Sequence, residues 1–140
     1  MAKLLLIVHV EESFRGYFDD TYIERLVETC NDEGTTVVHL TSCILDFEPI
    51  HELEYLIDKE IEFRYGYHPN YFEDEEEDQW IIPSNGHEYT WVPNEFRTNY
   101  LEGWSEIMLA GGSDSSCLQD MQEVLNFLEV DYERRVDIIY

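Results

Sequence analysis

A chain of 140 residues suits a single domain that buries about two-thirds of its extended-chain surface. A hydrophobic content of 44%, with ten Tyr, seven Phe and three Trp, excludes an intrinsically disordered protein. The 32 acidic residues against 8 Lys and Arg give a formal net charge of −24, which excludes non-specific attraction to nucleic acid or to anionic lipid. A basic protein surface is therefore the expected partner, and the alternative is that the charge only forms a solvated surface that keeps the protein monomeric and soluble.

The cysteines and the amino-terminal segment indicate a cellular compartment. The chain has three cysteines, Cys30, Cys43 and Cys117. An odd number of cysteines cannot form a complete disulfide framework, so reduced thiols are expected. The apolar run 4–10 resembles a signal peptide only superficially, because it leads into two glutamates with no small-residue cleavage site. No stretch is long enough to span a bilayer. These features predict a cytoplasmic protein.

The first 41 residues predict a βαβ unit. Residues 4–10 are apolar at successive positions, which is typical of a strand buried on both faces of a parallel sheet. Thr21 and Glu24 have capping-box spacing and predict the start of a helix that Gly34 ends. Residues 35–41 are rich in β-branched side chains and predict the second strand.

The middle of the chain predicts a helix followed by a solvated loop. Pro49 suits a first helical position, and apolar residues recur at helical spacing as far as Ile61. An uninterrupted acidic run follows, which predicts a loop and the docking surface for a basic partner: Glu73, Asp74, Glu75, Glu76, Glu77 and Asp78.

Segments 80–82 and 88–92 predict a β-hairpin at the edge of the sheet, since the intervening Asn-Gly tolerates the positive φ angles of a tight turn. The acidic loop and the hairpin, residues 64–93, are interpreted as an insertion within a single domain, residues 1–140.

The last third of the chain predicts strand, glycine turn, helix and strand. Residues 106–110 form an apolar run that Gly111 and Gly112 break. Apolar residues at helical spacing then follow from Cys117, which falls in the first turn of the helix. Unpaired N–H groups at such a terminus favour a thiolate, and the alternative is that Cys117 only packs against the sheet, as free cysteines commonly do. Residues 136–140 predict the last strand.

Together the elements predict a three-layer α/β domain with a mainly parallel sheet of Rossmann-like type. In such sheets ligands bind beyond the carboxyl ends of neighbouring strands where the winding reverses. If the strands at 4–10 and 106–110 are neighbours there, His9 and Cys117 share a crevice, with Glu11 or Glu12 to orient the imidazole. The alternative for His9 is a core histidine with a satisfied ring nitrogen.

Four segments carry a resemblance to a known family. Residues 5–14 form the opening strand and soon reach a phenylalanine, residues 94–96 are Asn-Glu-Phe, residues 99–101 are Asn-Tyr-Leu, and residues 107–117 run from a strand through two glycines to a cysteine. They resemble motifs of the isochorismatase-like cysteine hydrolases, which include the nicotinamidases. The resemblance implies an isochorismatase-like fold and a nucleophilic role for Cys117.

The chain departs from that family at two positions. His9 stands where the resemblance implies a catalytic aspartate, and Tyr89, Thr90 and Trp91 stand where it implies a lysine. The sequence therefore favours a catalytically degenerate relative that binds a basic partner, including imitation of a nucleic-acid backbone. The alternative is an active hydrolase of a small amide that uses Cys117, His9 and Glu12.

Residues 110–116 are also similar to the phosphate-binding turn of ATP pyrophosphatases. That similarity implies phosphate binding by backbone N–H groups of Gly111, Gly112 and Ser113, which the acidic composition disfavours. The histidines lack metal-ligand spacing, and no cofactor or metal is expected.

Overall fold

A computed structural model describes residues 2–42, 48–66, 79–84, 88–93, 96 and 101–140. The strands in these residues are β1 (Lys3–Val8), β2 (Thr35–Ser42), β3 (Lys59–Gly66), β4 (Gln79–Ser84), β5 (Glu88–Pro93), β6 (Glu106–Gly111) and β7 (Glu133–Ile139). The helices are α1 (Asp20–Cys30) and α2 (Cys117–Phe127), with 3₁₀ helices at Glu12–Tyr17 and His51–Leu53. The protein is thus an α/β structure.

The strands form one sheet in the order β4-β5-β3-β2-β1-β6-β7. Strands β3, β2, β1, β6 and β7 are neighbours in that order and pair in parallel. Strand β5 pairs antiparallel with both β3 and β4. The chain leaves β1 for β2 on one side and later returns to β6 on the other. The winding therefore reverses between β1 and β6, and this confirms the predicted neighbours.

Strand β1 is buried on both faces, as its continuous apolar run predicts. Leu4, Leu6 and Val8 belong to the core cluster that contains α2, while Leu5 and Ile7 belong to the cluster that contains α1. Side chains alternate along a strand, so β1 contributes to both cores. One helix packs on each face of the sheet.

Helix α1 begins earlier than the capping-box prediction. Asp19, in extended backbone, accepts the N–H of Tyr22 at 2.7 Å, and Thr21 lies inside the first turn. The expected cap at Thr21 is wrong because a residue with helical dihedrals cannot serve as the N-cap.

The predicted helix from Pro49 to Ile61 is also wrong. The structure has a 3₁₀ turn at His51–Leu53, and then β3 pairs in parallel with β2. Ile61 and Phe63 are buried while Glu62 between them is exposed, so the period of two outweighs the helical spacing.

The hairpin prediction is confirmed, since β4 and β5 pair antiparallel at one edge of the sheet. Its turn, residues 85–87, and the acidic run 73–78 lie outside the described residues. Among the described helices, neither length nor apolar character suffices to cross a membrane.

Candidate active site

The carboxyl ends of β1 and β6 form one wall of a cavity. Val8 and Gly111, the last residues of the two strands, are paired in register, so the segments that follow them diverge from adjacent points. The cavity has a volume of about 430 Å³. Its lining residues come from the segments after β1, β6 and β7: His9, Phe14, Tyr17, Ser113, Ser116, Cys117 and Tyr140.

Two glycines allow this close approach. Gly111 has φ of +98°, and a Cβ atom there would collide with the carbonyl oxygen of Val8 and lie 2.5 Å from its nitrogen. A Cβ atom on Gly112 would lie 2.6 Å from the main-chain oxygen of Tyr140. The two glycines therefore allow the ends of β1, β6 and β7 to approach one another closely. The peptide bond from Gly112 to Ser113 is cis.

Cys117 is the first residue of α2, as the apolar spacing predicts. The Ser113 carbonyl accepts the N–H groups of Ser116 and Leu118, at 3.1 and 3.0 Å. The Cys117 N–H donates to no main-chain oxygen of the described residues. The half-buried thiol therefore faces the cavity beside an N–H group that can bind an oxyanion.

His9 lies at the end of β1 in a left-handed conformation, with φ of +50°. This conformation costs about 1–2 kcal/mol for a residue with a Cβ, and such strain tends to occur at functional sites. Its Nδ1 donates to Oε1 of Glu11 at 3.0 Å, and its ring lines the same cavity as the Cys117 side chain. Burial lowers the pKa of His9, but the Cys117 and Glu11 interactions outweigh it and raise that pKa to about 9.

Glu11 is fully buried behind His9, and other buried groups hold its carboxylate in place. The Thr41 hydroxyl donates to Oε1 of Glu11 at 2.9 Å. Nε2 of His39 lies 3.9 Å from the same oxygen but accepts the Val10 N–H at 3.2 Å. Nδ1 of His39 lies 2.9 Å from a carboxylate oxygen of Glu60. The imidazole that contacts Glu11 at hydrogen-bonding distance is that of His9.

The structure corrects the choice of Glu12 as the orienting carboxylate. Glu12 accepts hydrogen bonds of 2.7 and 2.8 Å from the Arg15 guanidinium and one of 2.9 Å from the His51 N–H. The hydrogen bonds from Arg15 hold the pKa of the Glu12 carboxyl well below its usual range. Glu12, His51 and Glu52 lie close enough to share a metal ion, but Arg15 already lies 2.7 Å from both carboxylates.

The sequence did not predict that Phe14, Tyr17 and Tyr140 line the cavity. Tyr17 stacks on Tyr140 with ring centroids 5.8 Å apart, and Phe14 lies 6.3 Å from Tyr17. The Tyr140 hydroxyl donates to the carbonyl oxygen of His9 at 2.6 Å. The signal for Tyr140 was available, since a parallel strand at 133–139 must end at the same edge as β1 and β6.

The other predicted binding residues separate into two groups. Ser113 lines the cavity, but the Gly112 N–H donates to Val8 and the Asp114 N–H to Tyr140, so these groups are not free to bind phosphates. The acidic residues 73–78 lie outside the described residues, and their docking role stays a prediction.

Comparisons with protein-family models, with curated proteins and with solved structures find no significant match. The chemistry of the site follows from its own residues. A thiol and an imidazole line one cavity, and a buried carboxylate is hydrogen-bonded to the imidazole, which is the arrangement of nucleophile, base and orienting group. They open onto a cavity large enough for a small molecule.

Proposed function

We propose that the protein is a cysteine-dependent hydrolase of small amides or esters. The observation that carries the proposal is that Cys117 and His9 line one cavity of about 430 Å³, with the buried Glu11 carboxylate hydrogen-bonded to Nδ1 of His9. The sequence favoured a degenerate binding domain because an aspartate and a lysine were missing. The geometry favours the alternative, since His9 with Glu11 supplies a proton acceptor and a cation at the thiol.

The first step is acylation. The Cys117 thiolate attacks the substrate carbonyl carbon, and the carbonyl π electrons move to oxygen, where the Cys117 N–H stabilises the oxyanion. The tetrahedral intermediate collapses, the bond to the leaving amine or alcohol breaks, and the His9 imidazolium donates the proton that this group needs. An acyl thioester on Cys117 and a neutral His9 result.

The second step is hydrolysis of the thioester. Neutral His9 takes a proton from water, the hydroxyl attacks the thioester carbonyl, and the thiolate leaves as the carboxylic acid product forms. Glu11 stabilises the imidazolium of His9 whenever it forms and fixes the ring tautomer, because Nδ1 is held by the carboxylate.

The isochorismatase-like three-layer fold is part of the proposal. It is supported by the strand order of the parallel sheet, the helix on each face and the cysteine at the first residue of the helix after two glycines. In this reading His9 and Glu11 together replace the aspartate and lysine that the family resemblance implies.

The test is hydrolysis of a panel of p-nitrophenyl esters and small primary amides. We expect turnover that Cys117→Ala abolishes and that Cys30→Ala leaves unchanged, because Cys30 lies in the opposite core. Equal activity of the wild-type protein and Cys117→Ala, or no turnover of any substrate of the panel, would contradict the proposal.

A matched pair of variants tests the orienting carboxylate. We expect Glu11→Gln to lower kcat by about tenfold or more, because the amide no longer stabilises the imidazolium. The kcat of Glu12→Gln should stay within about twofold of the wild-type value, since the Glu12 carboxylate is hydrogen-bonded to Arg15. The pH profile of kcat is the second readout. Glu11→Gln should move the alkaline limb of that profile to lower pH. If the two variants behave alike, Glu11 has no positioning role.

A further inference from the structure

The described residues that line the cavity include three aromatic side chains and, apart from His9, no basic one. Phe14, Tyr17 and Tyr140 supply the rings, and Ser113 and Ser116 supply hydroxyls. Within the described part of the chain no lysine or arginine lines this cavity. A substrate carboxylate or phosphate would therefore meet no guanidinium or ammonium group there.

Three arginines close in sequence to residues that line the cavity are paired with carboxylates. Arg15 lies on the same 3₁₀ helix as Tyr17, but its guanidinium contacts Glu12 and Glu52 at 2.7 Å. Arg134 contacts Asp114, the neighbour of Ser113, also at 2.7 Å, and Arg135 contacts Asp137 at 3.2 Å. None of these three guanidinium groups lines the cavity.

The charge of the chain points the same way. Its formal net charge is −24, which raises the local concentration of cations and lowers that of anions. Aromatic faces within about 6 Å of a cation attract it further.

We propose that the substrate of this site is a small amide or ester that carries a positively charged ammonium group, which sits against Tyr17 and its aromatic neighbours while the acyl carbon lies at Cys117. This inference rests on the proposed function. It adds the charge class of the substrate and assigns Tyr17 as a specificity-determining residue.

The test is the charge preference of thiol modification. Methanethiosulfonates of matched size that carry a trimethylammonium or a sulfonate group are reacted with the protein, and modification of Cys117 is followed by peptide mass spectrometry. Rates are normalised to those of free 2-mercaptoethanol. At about 1 M NaCl, where long-range fields are screened, we expect the cationic reagent to stay about fivefold faster.

Two tyrosine variants distinguish direct contact of the cation with Tyr17 from attraction by the net charge of the protein. Tyr17→Leu should reduce the preference to below about twofold, whereas Tyr55→Leu should leave it unchanged because exposed Tyr55 does not line the cavity. Equal rates for both reagents at high salt, or the same preference in both variants, would overturn the inference. Iodoacetamide, a neutral reagent, reports separately on the proposed function: slow alkylation would contradict an activated thiol whatever the charge preference.

Discussion

Cys30 and Cys117 lie on the two helices that cover opposite faces of the sheet, and they occupy opposite helix ends. Cys30 is the last residue of α1, buried in the core, and burial together with the charge of Asp58 raises its pKa to about 12. Cys117 is the first residue of α2, half-buried at a cavity that His9 also lines. Position within the fold, rather than residue type, separates a packing residue from a candidate nucleophile.

The two helix ends differ in their surroundings as well as in burial. Carbonyl groups at the end of α1 disfavour negative charge on a neighbouring sulfur, whereas N–H groups at the start of α2 favour it. Only the second cysteine also faces an imidazole backed by a carboxylate. The comparison therefore predicts unequal reactivity that can be measured directly.

The largest expected effect is in alkylation. Near pH 7 we expect iodoacetamide to modify Cys117 faster than Cys30 by about a thousandfold or more, because Cys30 is almost wholly protonated and inaccessible. Quantitative peptide mass spectrometry over time measures both rates in one sample. In concentrated urea the two rates should converge, and a large difference that persists there would show that local sequence, not the fold, causes it.

The next largest expected effect is the loss of stability on substitution of Gly111, the glycine that allows β1 and β6 to approach. Gly111→Ala should lower the free energy of unfolding by about 3 kcal/mol, from the clash with Val8 and the positive φ. Gly103→Ala is the matched control, because Gly103 shares a positive φ of +86° but has nothing within 4 Å of the added Cβ. That variant should cost about 1 kcal/mol.

Chemical denaturation measures the free energy of unfolding of both glycine variants. In folded Gly111→Ala, the alkylation rate of Cys117 should exceed that of Cys30 by a smaller factor than in the wild-type protein. Equal destabilisation by the two substitutions would contradict the close approach of the strands.

The smallest effect is the pH dependence that His9 contributes. Its pKa is raised from 6.5 to about 9 in the folded state, so its stabilising contribution is complete below about pH 6.5 and is lost as the pH rises through about 9. The groups that face it are Cys117 and Glu11. We expect the free energy of unfolding to fall by about 2 kcal/mol across this range.

His9→Asn is the control for this pH dependence, since asparagine tolerates a left-handed backbone. Urea titrations at several pH values should give a flatter profile for that variant. An identical profile for both proteins would rule out His9 as the titrating group.

The parts of the fold that were predictable from sequence are those with an unambiguous period. The continuous apolar runs of β1 and β6 and the 3.6-residue period from Cys117 led to the correct elements and to the correct meeting of His9 with Cys117. Residues 49–61 failed because apolar spacing there fits both a helix and a strand, and pairing with β2 decides between them.

The choice between Glu11 and Glu12 could not be made from sequence. The two are adjacent, and which carboxylate reaches the imidazole depends on the positive φ of His9, which turns the chain before them. A left-handed histidine has no signature in composition or spacing. The burial of Thr41 and His39 around Glu11 likewise depends on the pairing of β1 with β2.

The hydrogen bond from Tyr140 to His9 joins residues 131 positions apart. Loops of that length close late in folding, after local helices and turns have formed. We therefore expect rapid alkylation of Cys117 to appear only after β7 has docked beside β6. The rate of alkylation would then measure completion of the fold.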